Sequence, residues 1–89
     1  MLEIATHKDF TKSLQKVKLN PTNASKLFLY ISLLLNEEKL PKEASDHALS
    51  GNYNDTREFH ISGDLLVVYR VANNALELIK IGTHSQLFK

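Results

Sequence analysis

A chain of 89 residues has room for one hydrophobic core, and 43% hydrophobic with 24% charged residues is the balance of a folded domain, not of a disordered one. With no cysteine, a disulfide framework and a thiolate metal site are both excluded, and a reducing compartment fits. A net charge of +1 argues against nucleic-acid binding driven by charge alone.

That small charge is unevenly divided. Residues 1–35 carry five lysines against Glu3 and Asp9, whereas residues 36–89 carry six cations against eight acids, so the N-terminal part is the one suited to an anionic partner. The segment Met1–His7 has neither a basic start nor a long apolar run, and so does not read as a signal peptide. The longest apolar stretch, Leu27 to Leu35, holds nine residues broken by Ser32, far short of the roughly 20 that cross a bilayer. A single cytoplasmic domain spanning residues 1–89, with no membrane partner, is expected.

In chain order, Leu2-Glu3-Ile4-Ala5 alternates as a short strand does. Phe10, Leu14 and Val17 then fall at i, i+4 and i+7, which predicts a helix. Lys8, Lys12 and Lys16 lie on a different stripe of it and form a basic ridge, either a solvated face or a partner site. Asn20-Pro21 opens a second helix, with Asn20 as the cap and Thr22 or Asn23 as alternatives. Its stripe of Leu27, Tyr30, Ile31, Leu34 and Leu35, widened by Phe28, Leu29 and Leu33, predicts a helix central to the core, covered by a partner, or both. Leu40-Pro41 is expected to end the helical pattern, and a polar loop follows to about Asp55.

Thr56–His60, Leu65–Val71 and Leu76–Ile81 read as strands joined by turns at Ser62-Gly63 and Asn73-Asn74, an antiparallel meander. The middle run is apolar at nearly every position, as a central strand covered on both faces would be. The class is therefore α+β: two N-terminal helices packed on a mainly antiparallel sheet, in the order β-α-α-β-β-β, with room for one more short strand.

Three of the four histidines stand beside polar partners: Asp46-His47, Glu58-Phe59-His60 ahead of Asp64, and Gly82-Thr83-His84. Imidazole exchanges protons near neutral pH, so several of them with a carboxylate suggest proton-transfer chemistry or a metal site. A three-residue loop Ile61-Ser62-Gly63 would set His60 opposite Asp64, about 5 Å apart at Cβ, whereas a Ser62-Gly63 loop would separate them. Period-2 alternation puts Glu58 on the His60 face and Arg57 with Phe59 on the other. A metal would draw on His47, His60, Asp64 and His84, but neither HExxH nor H-x-H spacing occurs, which favours proton transfer. No cysteine exists and no serine lies in a G-x-S-x-G context, so a protein nucleophile is not expected.

The run Asp46-His47-Ala48-Leu49-Ser50-Gly51, then Arg57-Glu58-Phe59-His60-Ile61, Asp64-Leu65-Leu66-Val67-Val68-Tyr69 and Gly82-Thr83-His84-Ser85-Gln86-Leu87-Phe88 resembles the YafQ branch of the RelE-like bacterial toxins. The match runs from about residue 40 to the end, and the N-terminal half agrees in layout. The resemblance implies the RelE-like, microbial ribonuclease-type fold and a type II toxin that cuts mRNA in the ribosomal A site with no metal or other cofactor. Its implied partners are a cognate antitoxin of the DinJ or RelB kind and the ribosome with its mRNA and ribosomal RNA. Operator DNA is met only through the antitoxin complex.

Carried over by position, His47, His60, Asp64 and His84 match the family's catalytic set and Phe88 its C-terminal aromatic. Arg57, Lys8, Lys12 and Lys16 are the further substrate-binding candidates. The expected chemistry has His84 as general acid, Asp64 or His47 as base, and His60 orienting phosphate or base. The main alternative is a noncatalytic toxin of the same fold acting on a protein such as gyrase, and a zinc-binding module comes third.

Overall fold

The computed structural model describes residues 1–50 and 55–88. Its elements are β1 (Glu3–Thr6), α1 (Lys8–Leu14), α2 (Pro21–Leu35), a 3-10 turn (Lys42–Ala44), β2 (His47–Ala48), β3 (Arg57–Ser62), β4 (Leu65–Ala72), β5 (Ala75–Thr83) and α3 (His84–Leu87). The five strands form one sheet in the order β1-β5-β4-β3-β2. Only β1, which joins the edge of β5, is parallel to its neighbour.

The expected α+β architecture is found, with β4 at the centre: Leu66, Val67, Val68 and Tyr69 are all essentially inaccessible. One face of the sheet presents Phe59, Ile61, Val67, Tyr69, Leu76, Leu78 and Ile81 to Phe10 of α1 and to Leu27, Tyr30 and Leu34 of α2. The Tyr30 and Phe59 rings meet edge to face with centroids 5.6 Å apart. The other face has a smaller cluster, Leu66 and Val68 under Leu87, with Leu49, Ile79 and Phe88 partly buried beside it.

Two helices stop earlier than the sequence pattern suggests. α1 has seven residues, and Lys16 and Val17 lie past its end in a turn closed by bonds from Lys16 N to Ser13 O and from Val17 N to Leu14 O. Ser13 Oγ accepts a bond from Ile81 N, which fastens this end of α1 to β5. α2 opens as expected, with Asn20 accepting from Asn23 N, but it ends at Leu35 rather than near Pro41. Glu37 takes a left-handed conformation (φ 58°), and the Glu37 and Glu38 amides turn back onto Leu34 and Leu33 carbonyls. Pro41 instead leads into the 3-10 turn. The polar loop expected before Asp55 therefore contains that turn and the short strand β2, while residues 51–54, including Gly51 of the motif, lie outside the described residues.

The Asn73-Asn74 turn is as read, both residues left-handed at φ 54° and 62°. The β3–β4 hairpin is not: Ser62 pairs with Leu65, the turn is Gly63-Asp64, and a register shift between His60 and Ser62 leaves His60 opposite Leu66. Neither expected loop forms, and Asp64 stands at the tip of the hairpin rather than across from His60.

Candidate active site

The second face of the sheet gathers three of the four histidines, His47, His60 and His84. β2 is only two residues long, yet it sets His47 directly opposite Glu58 of β3. Two residues further along β3, His60 projects from the same face. On the far side of β4, Thr83 pairs with Leu65, so the chain leaving β5 delivers His84 to the neighbourhood of the β3–β4 turn.

The local sequence fixes how His84 is presented. Thr83 caps α3 by accepting from Gln86 N, and the Gln86 side chain accepts in return from Thr83 N at 2.9 Å. Gly82 is needed for this cap, because a Cβ there would come within 2.8 Å of Gln86 Oε1 and 3.2 Å of a Leu87 methyl. The Gly82-to-Phe88 motif is thus a compact device for holding one imidazole and one phenyl ring at the end of β5.

At the centre is Glu58, only 3% exposed. Its Oε2 lies 3.4 Å from His47 Nε2, 3.6 Å from His84 Nε2 and 3.7 Å from His60 Nε2. The rings follow one another across the surface: His47 to His60 at 6.3 Å between centroids, His60 to His84 at 5.4 Å, His84 to Phe88 at 5.9 Å. Glu58 was the residue missing from the sequence-based set. Alternation placed it on the His60 face, but its central position depends on β2, which two residues cannot announce.

The outer nitrogens settle which ring atoms face Glu58 and with what. His47 Nδ1 is 2.7 Å from the Ser45 carbonyl, which can only accept, so Nδ1 carries a proton. His84 Nδ1 is 2.6 Å from Asp64 Oδ1, and the His84 amide also points at that oxygen. These two bonds hold the Asp64 carboxyl below its ordinary range, so it is an acceptor as well. In their neutral forms both rings therefore turn an Nε2 lone pair toward the Glu58 carboxylate. Three acceptor atoms facing one another require a proton or a cation among them.

His84 is the ring most disposed to hold that proton. The bond to Asp64 raises its pKa above the ordinary imidazole value, with the Glu58 charge adding to it and desolvation opposing. His60 Nδ1 is buried without a hydrogen-bond partner, which leaves Nε2 as the atom through which His60 acts.

The remaining candidates lie elsewhere. Arg57 is on the opposite face from His60, as alternation implied, and its Nε donates to Asp46 Oδ1 at 3.1 Å and to Tyr69 Oη at 3.3 Å. Tyr69 Oη donates to the same Asp46 oxygen at 2.6 Å, and burial followed by Asp46 pushes the phenol well above its usual range. Arg57 thus fastens the start of β2 from behind. Lys12 and Lys16 line a concavity of about 630 Å³, with Lys80 and with Ser85 and Gln86 of α3, while Lys8 is not among its lining residues.

Comparison with known proteins returns one family. Residues 2–89 match the family described as the bacterial toxin of type II toxin-antitoxin system, YafQ. The mRNA interferase toxin YafQ of Escherichia coli strain K12 is 28% identical over 80 residues, 89% of this chain and 87% of that protein. A copper-bound mutant toxin from Helicobacter pylori superposes with a TM-score of 0.91 at 39% identity, over 99% of this chain and 100% of that one. The YafQ chain of an E. coli DinJ–YafQ complex superposes with a TM-score of 0.86 at 26% identity over the whole of both chains.

Proposed function

The chain belongs to the YafQ family of bacterial type II toxin–antitoxin toxins, and from that premise we propose that it is an mRNA endoribonuclease acting in the ribosomal A site by metal-free acid–base chemistry. The observation that carries this reading is the convergence of three imidazole Nε2 atoms on the buried Glu58 carboxylate, within 3.4–3.7 Å. The E. coli relative called an mRNA interferase supports the same class of reaction.

RNA brings its own nucleophile, so the protein has to move two protons and steady the charge on phosphorus. His47 takes the 2′-OH proton on Nε2, the atom left free by its bond to Ser45, and the resulting imidazolium is held by Glu58. The 2′-oxygen bonds to phosphorus, the bond from phosphorus to the 5′-oxygen breaks, and His84 gives that oxygen the proton from its own Nε2. His60, between the two rings, steadies the phosphate. The products carry a 2′,3′-cyclic phosphate and a 5′-OH. Asp64 is not the base in this scheme: its oxygen is committed to His84, and it positions the acid.

Phe88, beside His84, offers a face on which a base drawn out of line stacks. The concavity of Lys12, Lys16 and Lys80, lined also by Ser85 and Gln86 of α3, suits a phosphate backbone. The half-exposed His47 and His84 rings and the low net charge favour a substrate held by a second body, the ribosome. A cognate antitoxin holds the toxin inactive, as the DinJ complex of the E. coli relative suggests. Phe28 and Leu29 on the outer side of α2, 68% and 54% exposed, are apolar surface for it to cover.

A noncatalytic toxin that binds a protein such as gyrase has no use for imidazole lone pairs turned on a buried carboxylate. The H. pylori relative holds copper, but none of the steps above calls for a metal. Primer extension on ribosome-bound mRNA and on the same mRNA free in solution tests the reading: cleavage on the ribosome and little off it is expected, and equal cleavage of both contradicts ribosome dependence.

A further inference from the structure

We propose that Asp46 is a positioning residue for the reaction: clamped by Tyr69 and Arg57 on the helix side of the sheet, it sets the place and the tautomer of His47 on the other side. The catalytic consequence rests on the acid–base reading above; the effect on the His47 ring does not.

The clamp is a closed triangle. Tyr69 Oη donates to Asp46 Oδ1 at 2.6 Å, Arg57 Nε donates to the same oxygen at 3.1 Å, and Arg57 Nε lies 3.3 Å from Tyr69 Oη. Tyr69 is set in the core on the central strand, with its ring 5.7 Å from that of Phe59 between centroids. Burial first, and Asp46 after it, holds the phenol well above its ordinary range, and a guanidinium does not titrate. Neither donor therefore loses its proton at a pH where imidazole chemistry works.

The segment that the clamp holds has little else to fix it. β2 lies at the edge of the sheet, and only its residues His47 and Ala48 pair with β3. Ala44 before it is fully buried and Leu49 after it partly so, but none of Ser45, Asp46, His47 and Ala48 belongs to either apolar cluster. Apolar packing thus gives these four residues no fixed place. Ser45 is also left-handed (φ 49°), a conformation that a residue with a Cβ keeps only where its surroundings enforce it. Buried Ala44 enforces it from one side and clamped Asp46 from the other.

The result appears at the imidazole. The Ser45 carbonyl meets His47 Nδ1 at 2.7 Å and keeps the proton there, which leaves Nε2 bare at 3.4 Å from Glu58 Oε2. Neighbouring residues of a strand point to opposite faces, so a carboxylate clamped on one face aims the ring on the other. Since the held segment adds nothing to the core, what the clamp secures is that ring.

Nitrogen nuclear magnetic resonance of metal-free protein, at a pH where the rings are neutral, reads the tautomer. Wild type should show His47 protonated at Nδ1 alone. Asp46→Ala, and to a smaller extent Tyr69→Phe, should give a mixture of the two tautomers, while His84, held separately by Asp64, keeps its own. Asp46→Asn keeps an oxygen for both donors and should restore the single form. An unchanged His47 in Asp46→Ala overturns the proposal, and so does an equal disturbance of His84, which marks a general loosening of the fold.

Single-turnover cleavage of ribosome-bound mRNA reads the consequence. Asp46→Ala should lower the rate at saturating ribosomes by up to about 100-fold, with little change in the concentration that half-saturates, and Asp46→Asn should recover most of it. Added to His47→Ala, Asp46→Ala should slow cleavage no further, because the clamp acts through the ring. A further slowing of the same size, or a loss confined to the half-saturating concentration, overturns the positioning role. Tyr69→Phe keeps the buried ring and carries both measurements should Asp46→Ala fail to fold. Tautomers that respond as expected in a protein whose wild type never cleaves count against the ribonuclease reading and leave the clamp on His47 standing.

Discussion

The face of the sheet beneath α1 and α2 and the face that carries the histidines come from the same strands by alternation, but they solve opposite problems. Under the helices, Phe59, Ile61, Val67, Leu76, Leu78 and Ile81 of β3 to β5 meet other apolar groups, and each of these contacts lowers the free energy of the folded chain. On the other face Leu66, Val68 and Leu87 do the same over a small area, and beside them Glu58 is buried against nitrogen lone pairs. That second arrangement costs stability unless a proton or cation enters it, the kind of cost that functional sites carry. The first face keeps the second in position. Phe59 and Glu58 are neighbours in sequence, and anchoring one aims the other.

Substitutions on the two faces should separate stability from activity, and the largest effect belongs to the helix side. Phe59→Ala removes a fully buried ring and should cost about 3–5 kcal/mol, a large part of the roughly 5–15 kcal/mol that holds a domain folded. Urea unfolding followed by circular dichroism reads this, and a loss under about 1 kcal/mol would break the division between the faces.

On the histidine side, His84→Ala should slow single-turnover cleavage by about 10²–10⁴-fold with little change in melting temperature. A variant that cuts at the wild-type rate, or fails only because it unfolds, removes the proton-donor role. Phe88→Ala should lose about 5- to 150-fold, from a stacking contact of about 1–3 kcal/mol, and Phe88→Tyr should keep most of the rate. Phe88 also packs beside the smaller cluster, so its alanine variant should melt somewhat lower. Gly82→Ala, which drives a methyl against Gln86 and Leu87, should cost about 1–3 kcal/mol and lower activity with it, since the same cap carries His84.

The smallest effect is a pH signature. Asp64 raises the His84 pKa, so that contribution to stability is full below the unfolded imidazole value and is lost as pH rises through the raised folded value. The Asp64 pKa is lowered, so its contribution is present above the unfolded carboxylate value and is lost as pH falls through the lowered one. Wild type should therefore exceed Asp64→Asn in stability most clearly between about pH 4 and 6.5, and the two should converge in alkali. In metal-free protein, nuclear magnetic resonance should show the His84 ring titrating above free histidine in wild type and moving back down in Asp64→Asn. An unchanged His84 titration contradicts the pairing.

Much of this was legible in the sequence where a pattern repeats. The β3 to β5 alternation, the Asn20 cap and the Asn73-Asn74 turn each follow from residue types that have few other uses. The failures are single-residue events. A left-handed Glu37 ends α2, and nothing in a glutamate signals that conformation. A register shift at Ile61 moves the hairpin tip, and with it Asp64 passes from His60 to His84. β2 is too short to show a period, and without it the position of Glu58 among three imidazoles is invisible. The residue types of the site were readable, but the pairing among them is set by register.

The central claim is that imidazoles alone carry the two protons of RNA cleavage, and the chemistry of the cut ends tests it most directly. Chelator-stripped protein should be given ribosome-bound mRNA in the presence of EDTA and the termini of the fragments determined. The account predicts 2′,3′-cyclic phosphate or 3′-phosphate on one side of the cut and 5′-OH on the other. Fragments bearing 5′-phosphate, or cleavage abolished by EDTA, would contradict it.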